Sequence, residues 1–200
     1  MHKKSNFNAV CCWLLVIICV VSSQMAAAQV EEKFIQQELE RVGTDPENSV
    51  TILVDAPVEF VFKFLMERLD LYTEDAVSVS FDVKGTGEIS AAVGTERTTV
   101  MASGETLVQR FLQMDAYNSY AYFTDISKST LSVPLKYSLA KYDFVSLSSN
   151  KTQVKISVVY QPSSRLTAFI VRRLFNSAFE RDFNNAATMM SEIYSKAHNQ

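Results

Sequence analysis

SVTILVDAPVEFVFKFL, residues Ser49–Leu65, changes its hydrophobic period halfway along. Ser49 to Val54 is a β-branched run and predicts a strand. Asp55-Ala56-Pro57 then predicts a helix start, because Asp55 can accept from free N–H groups and Pro57 suits the first turn. Val58, Val61, Phe62 and Leu65 recur at helical spacing, and Leu69 continues that face. A strand followed at once by an amphipathic helix is the first structural unit of the chain.

Downstream the period changes to two. Strands are expected over Val77–Val83, Gly87–Ala91, Glu96–Ala102, Thr106–Met114, Ser119–Ile126, Leu135–Ser146 and Gln153–Tyr160. Gly85, Gly94, Ser103-Gly104, Asp115–Asn118 and Ser148–Lys151 punctuate them. Connections this short imply an antiparallel meander. From about Ser164 to Ala197 the spacing returns to i, i+3, i+4, with Leu166, Phe169, Ile170, Leu174, Phe175, Ala178, Phe179, Phe183, Ala186, Ala187, Met190, Ile193 and Tyr194 on one stripe. A sheet with one apolar face must cover it, and this long helix is the expected cover. The fold class is α+β: a curved antiparallel sheet wrapped around a long C-terminal helix.

Upstream, residues 29–48 form a lead-in. Phe34, Ile35, Leu39 and Val42 fall at roughly helical spacing before Gly43 and the turn-like Thr44–Asn48, so a short helix on the domain and a flexible spacer are both open. Before that, His2, Lys3 and Lys4 make a basic start, Ala9 to Val21 an apolar run, and Ala26-Ala27-Ala28 a small-residue cleavage site. Residues 1–28 therefore read as a signal peptide cut before Gln29. The apolar run falls short of the ~20 residues that span a bilayer, which disfavours an uncleaved anchor. The expected location is periplasmic or secreted, with no stable membrane anchor after cleavage.

Cys11, Cys12 and Cys19 all lie inside that leader, so the expected mature chain of about 172 residues has no disulfide or thiolate metal site. Without Lys3 and Lys4 the 19 basic residues become 17 against 22 acidic ones, a net charge near −5. That balance argues against nucleic acid and anionic lipid surfaces as partners.

The order of these segments resembles the START-like proteins, also called the SRPBCC or polyketide-cyclase/dehydrase superfamily. Ser49–Leu65 is similar to their opening strand and helix, and Val93-Gly94-Thr95-Glu96-Arg97 to their Gly-x-x-Arg strand. Leu107–Asp115 with Tyr120-Ala121-Tyr122 resembles the next hairpin, and Thr152–Ile156 the last strand before the C-terminal helix. The resemblance covers about Ser49 to Ser195 and implies a helix-grip domain over residues 49–198. It also implies binding of lipids, sterols, polyketides or other apolar molecules between sheet and helix. Some members are cyclases or hydrolases. Several of their motifs carry Glu where this chain has Gln109, which weakens a cyclase-type assignment.

With His2 in the leader, His198 near the C-terminus is the one remaining histidine, and no nucleophile elbow, P-loop or dinucleotide fingerprint occurs. No cofactor or metal is implied. The carboxylates Glu88, Glu96, Glu105 and Asp143 sit in or near strands, where a solvated position is the ordinary outcome. Arg97 and Arg110 are strand arginines that could meet an acidic head group bidentately or form surface ion pairs. In the last strand Val154, Ile156, Val158 and Tyr160 share a face that should meet the helix. In Thr106–Met114 the more apolar face is Val108, Leu112 and Met114, and it includes Arg110. The candidate ligand-binding set is Arg110, Leu112, Met114, Ile156, Val158, Tyr160, Phe175, Phe179 and Phe183. Three readings follow: an exported binding protein for an apolar or amphipathic small molecule, a cyclase/hydrolase-type enzyme using carboxylates, and an interaction module for another exported protein. The first is favoured.

Overall fold

The structure, a computed structural model, describes residues 31–82 and 89–198, except for the side chains of residues 165–167, 170 and 174–178. The expected leader, and Gly87 and Glu88 of the expected second strand of the meander, lie outside the described residues. The chain divides into two units, residues 1–38 and 39–200. Residues 31–44 are helical (α1), so the lead-in contains a helix; the first unit contributes residues 31–38 of it.

In the second unit, strand β1 (Asn48–Val54) alternates as its sequence predicts, with Val50, Ile52 and Val54 buried and Thr51 and Leu53 exposed. Helix α2 (Val58–Glu67) follows. Pro57 occupies its N-cap and no side chain caps it. Asp55 stands two residues too early to cap, and its backbone N–H instead donates to Ser191 Oγ at 3.0 Å. The short helix α3 (Leu69–Tyr72) is fastened back to α2 by the Tyr72 hydroxyl, which donates to the Leu65 carbonyl at 2.7 Å.

The remaining strands are β2 (Ala76–Asp82), β3 (Glu96–Met101), β4 (Thr106–Asp115), β5 (Ser119–Thr124), β6 (Leu135–Ser148) and β7 (Lys151–Pro162), followed by helix α4 (Arg165–His198). All pair antiparallel in one curved sheet of order β1-β7-β6-β5-β4-β3-β2. Among the described residues seven strands form, one fewer than the periodicity suggests. The expected strand over Gly87–Ala91 is absent where it is described, because residues 89 and 90 are bends, Ala91 is irregular, and β2 pairs directly with β3.

One face of the sheet carries the main core. Phe111, Tyr120, Tyr122, Tyr142, Phe144, Ile156 and Val158 meet α2 and α4 there. Sequence periodicity assigned the cover to α4 alone, but α2 shares it. Five residues of α2 are buried, Val61, Phe62, Phe64, Leu65 and Met66, a wider face than a single stripe. Phe62 packs edge-on to Tyr120 with ring centres 5.3 Å apart. Helix α4 contributes Val171, Phe183, Ala186, Ala187 and Met190. Phe169, on the same expected stripe, is 73% exposed. The opposite face of the sheet holds a smaller cluster, Val42 of α1 with Leu139 and Val159, flanked by Leu39, Leu112 and Phe123.

A β-bulge decides which β4 residues face which way. Pairing with β5 runs Phe111↔Tyr122, then Gln113↔Ala121, so one extra residue enters between Phe111 and Gln113. Strict alternation would place Arg110, Leu112 and Met114 together. Instead Met114 packs on the main core with Phe111, while Leu112 joins the cluster on the other side. Arg110 pairs across the sheet with Glu96 and Phe123 on that outer side and is half-exposed. The expectation of one β4 face holding all three residues is corrected by this bulge.

Candidate functional site

Sheet curvature leaves space between the ends of β4–β7 and the middle of α4. A pocket of about 270 Å³ opens there, floored by the sheet and roofed by Phe179 and Phe183. Leu69, Tyr72 and Thr73 close one side, and Ile126, Val133 and Leu135 close another. From the sheet come Leu107 and Gln109 of β4, Tyr122 and Thr124 of β5, Ser138, Ala140 and Tyr142 of β6, and Val158 of β7. These residues meet because adjacent antiparallel strands put every second residue on one face, and the registers Gln109↔Thr124, Thr124↔Ser138 and Ala140↔Val158 align them in a row. Phe179 and Phe183 are one helical turn apart and touch edge-on at 4.9 Å.

The polar groups in this mostly apolar wall are uncharged. Ser138 Oγ donates to Thr124 Oγ1 at 2.9 Å, and the Tyr122 and Tyr142 hydroxyls lie 3.4 Å apart. Behind the wall stands one cation. Arg97, from β3, is fully buried. Its Nε and Nη2 both donate to Gln109 Oε1, at 3.0 and 2.7 Å, and its Nη1 donates to the Met66 carbonyl at 2.7 Å. Its guanidinium carbon lies 4.8 Å from the ring centre of Tyr122 and 5.5 Å from that of Phe111, a cation–π arrangement. Of the two arginines singled out by sequence, the buried one is Arg97.

Burial pushes the phenols of Tyr72, Tyr120 and Tyr142 above their ordinary range; for Tyr72 and Tyr120 the Arg97 charge works partly against that rise. The Tyr120 hydroxyl is buried without a hydrogen-bond partner, as is Thr99 Oγ1. Among the described residues no cluster of three or more His, Cys, Asp or Glu side chains is placed to hold a metal ion, and no helix is long and apolar enough to cross a membrane.

Of the nine candidate residues, Val158, Phe179 and Phe183 line the pocket. Ile156 and Tyr160 are core residues beneath it, Met114 packs at the core margin, and Arg110 and Leu112 face the other side of the sheet. Phe175 lies on α4, outside the described side chains. Periodicity missed Gln109, Thr124, Ser138 and the Tyr72 wall. A signal for Gln109 did exist. A three-residue turn, Ala102–Gly104 between Met101 and Glu105, puts Arg97 directly across from Gln109, and the structure has that pairing.

The same architecture recurs among solved proteins. A START superfamily protein from Mycobacterium smegmatis superposes with a TM-score of 0.53 at 7% identity, over 72% of this chain and 97% of that one. A protein from Thermobifida fusca gives 0.54 at 16% identity, over 75% and 93%. Norcoclaurine synthase from Thalictrum flavum gives 0.50 at 15% identity, over 72% and 93%. No protein-family profile matches the chain, and no curated protein matches it in sequence. The chain has the START-like, or SRPBCC, helix-grip fold.

Proposed function

We propose that this protein is an exported binding protein that holds an apolar or amphipathic small molecule between the sheet and α4. The observation that carries this reading is the pocket of about 270 Å³, whose wall joins the rings of Phe179, Phe183 and Tyr142 to a few convergent hydroxyls and one amide. Such a wall suits a largely apolar ligand oriented by a small polar end. It offers hydroxyls, an amide and aromatic rings rather than a carboxylate or imidazole, so binding fits its chemistry better than acid–base catalysis. Export rests on the basic, apolar and Ala-x-Ala segments of residues 1–28.

Native mass spectrometry of protein purified from its own host tests both parts. The expected result is a polypeptide beginning at or near Gln29 with a retained small molecule that denaturation releases. A ligand-free protein that also fails to bind an apolar fluorescent probe would remove the binding reading. Full-length chain recovered from the cytoplasm would remove the export reading.

A further inference from the structure

We infer that the ligand is a monocarboxylic acid with an apolar tail, its carboxylate received by the Gln109 amide and its charge balanced by Arg97. This deepens the binding reading above and rests on it. Arg97 is wholly buried, and each of its contacts is neutral: the Gln109 side-chain oxygen, the Met66 carbonyl, and the faces of Tyr122 and Phe111. No carboxylate among the described residues lies within ion-pair distance of it. Asp70, the acid of neighbouring α3, is already paired with Arg68 at 3.1 Å. A buried cation without a counter-ion is costly, and hydrogen bonds and ring faces offset only part of that cost.

Gln109 carries the charge to the pocket. Its Oε1 accepts both guanidinium N–H groups, so its orientation is fixed by chemistry: reversed, its NH2 would meet donors. The amide NH2 is thereby turned away from Arg97, has no acceptor among the described residues, and belongs to a side chain that lines the pocket. Polarisation by the guanidinium makes it a stronger donor. Nearby hydroxyls add further donors. Thr124 accepts from Ser138 and keeps its own proton free, and the Tyr122–Tyr142 pair has one phenol proton to spare. Donors gathered around one uncompensated positive charge select an acceptor of charge −1, and a carboxylate supplies two oxygens for them. Arg97 is a positioning residue here, acting through Gln109.

The test compares binding of cis-parinaric acid and its methyl ester, by fluorescence, to the purified protein and to Gln109→Glu, with melting temperature as a folding control. The wild type should prefer the acid by about tenfold or more, the value of one charge-assisted contact. In Gln109→Glu the new carboxylate neutralises Arg97 and faces the incoming head group, so that preference should collapse or invert without loss of thermal stability. Equal wild-type affinity for acid and ester, or an acid preference that survives in Gln109→Glu, overturns the head-group assignment alone. Failure of both probes to bind the wild type overturns the ligand-binding reading itself. The wild-type comparison decides the matter even where the variant does not fold.

Discussion

Replacing Val158 by Trp separates a hollow interior from a filled one. Val158 is buried in the middle of β7, paired with Asn48 of β1 on one side and Ala140 of β6 on the other. With strands on both flanks the backbone cannot move aside, so the larger side chain must enter the space beneath Phe179 and Phe183. Ala140, the smallest pocket neighbour, leaves lateral room for it. If the pocket of about 270 Å³ is empty in solution, the indole occupies it and stability changes little. If neighbouring side chains relax to fill it, overpacking costs ~1–3 kcal/mol. For a domain of this size that lowers Tm by ~2–12 °C. We expect less than ~2 °C, with a loss of ~tenfold or more in affinity for an apolar fluorescent probe as the indole takes the ligand's place. Differential scanning calorimetry and probe titration on the same samples decide it. A large fall in Tm, in a parent protein that binds no probe, would refute the pocket reading and move the interaction-module reading to first place.

Two further outcomes follow from buried polar groups. The phenols of Tyr72, Tyr120 and Tyr142 are pushed up by burial, so the folded state keeps protons that the unfolded chain releases above pH 10.0. Their contribution is complete below pH 10.0 and is lost as pH rises toward the folded values, at ~1.4 kcal/mol per phenol per pH unit and ~4 kcal/mol for the three together. Thermal scans from pH 9 to pH 11.5 should show Tm falling steeply above pH 10, and a flat profile would contradict the burial of these side chains. Thr152, fully buried, donates to the Ala56 carbonyl at 2.8 Å and ties β7 to the start of α2. Thr152→Val keeps the shape, strands that carbonyl and should cost ~1–3 kcal/mol, read as a lower urea midpoint at unchanged m-value; an unaltered midpoint would mean that water replaces the bond.

The elements were legible in the sequence because each has a strong period. β1 alternates with β-branched residues, β7 repeats Val154, Ile156, Val158 and Tyr160 on one face, and the expected helix, about Ser164 to Ala197, falls within a residue of the observed Arg165–His198. The Asp55 cap, and the described part of the expected Gly87–Ala91 strand, residues 89–91, differ from expectation for local reasons. Pro57 took the cap position two residues further on, and β2 pairs directly with β3 while residues 89–91 join no strand. The site was less legible. Alternation assigns faces only while register holds, and the bulge after Phe111 sent Leu112 and Met114 to opposite sides. No periodicity in one strand announces a bulge, because it is set by how that strand matches its partner.

Arg97 and Gln109 show what kind of information single-strand reading lacks. Taken alone, Thr-Glu-Arg-Thr-Thr is an ordinary polar edge, and Val-Gln-Arg-Phe offers two polar residues of which Arg110 carries the charge. Pairing reverses their importance. Arg110 stands opposite Glu96 on the half-exposed side, where solvent screens its charge, and Glu96 itself pairs with Lys128. Arg97 stands opposite Gln109, a neutral amide, on the buried side, where nothing among the described residues matches it. Both assignments come from the same hairpin register, which the three-residue turn Ala102–Gly104 determines. The register therefore places a charge where a solvated domain gains nothing from it and a binding domain does. A stability-driven sequence would put Glu at position 109, since a buried arginine left without its carboxylate is strongly destabilised relative to the pair. Retaining Gln there leaves the counter-ion to be supplied from the pocket, which is the property that the Gln109→Glu comparison measures.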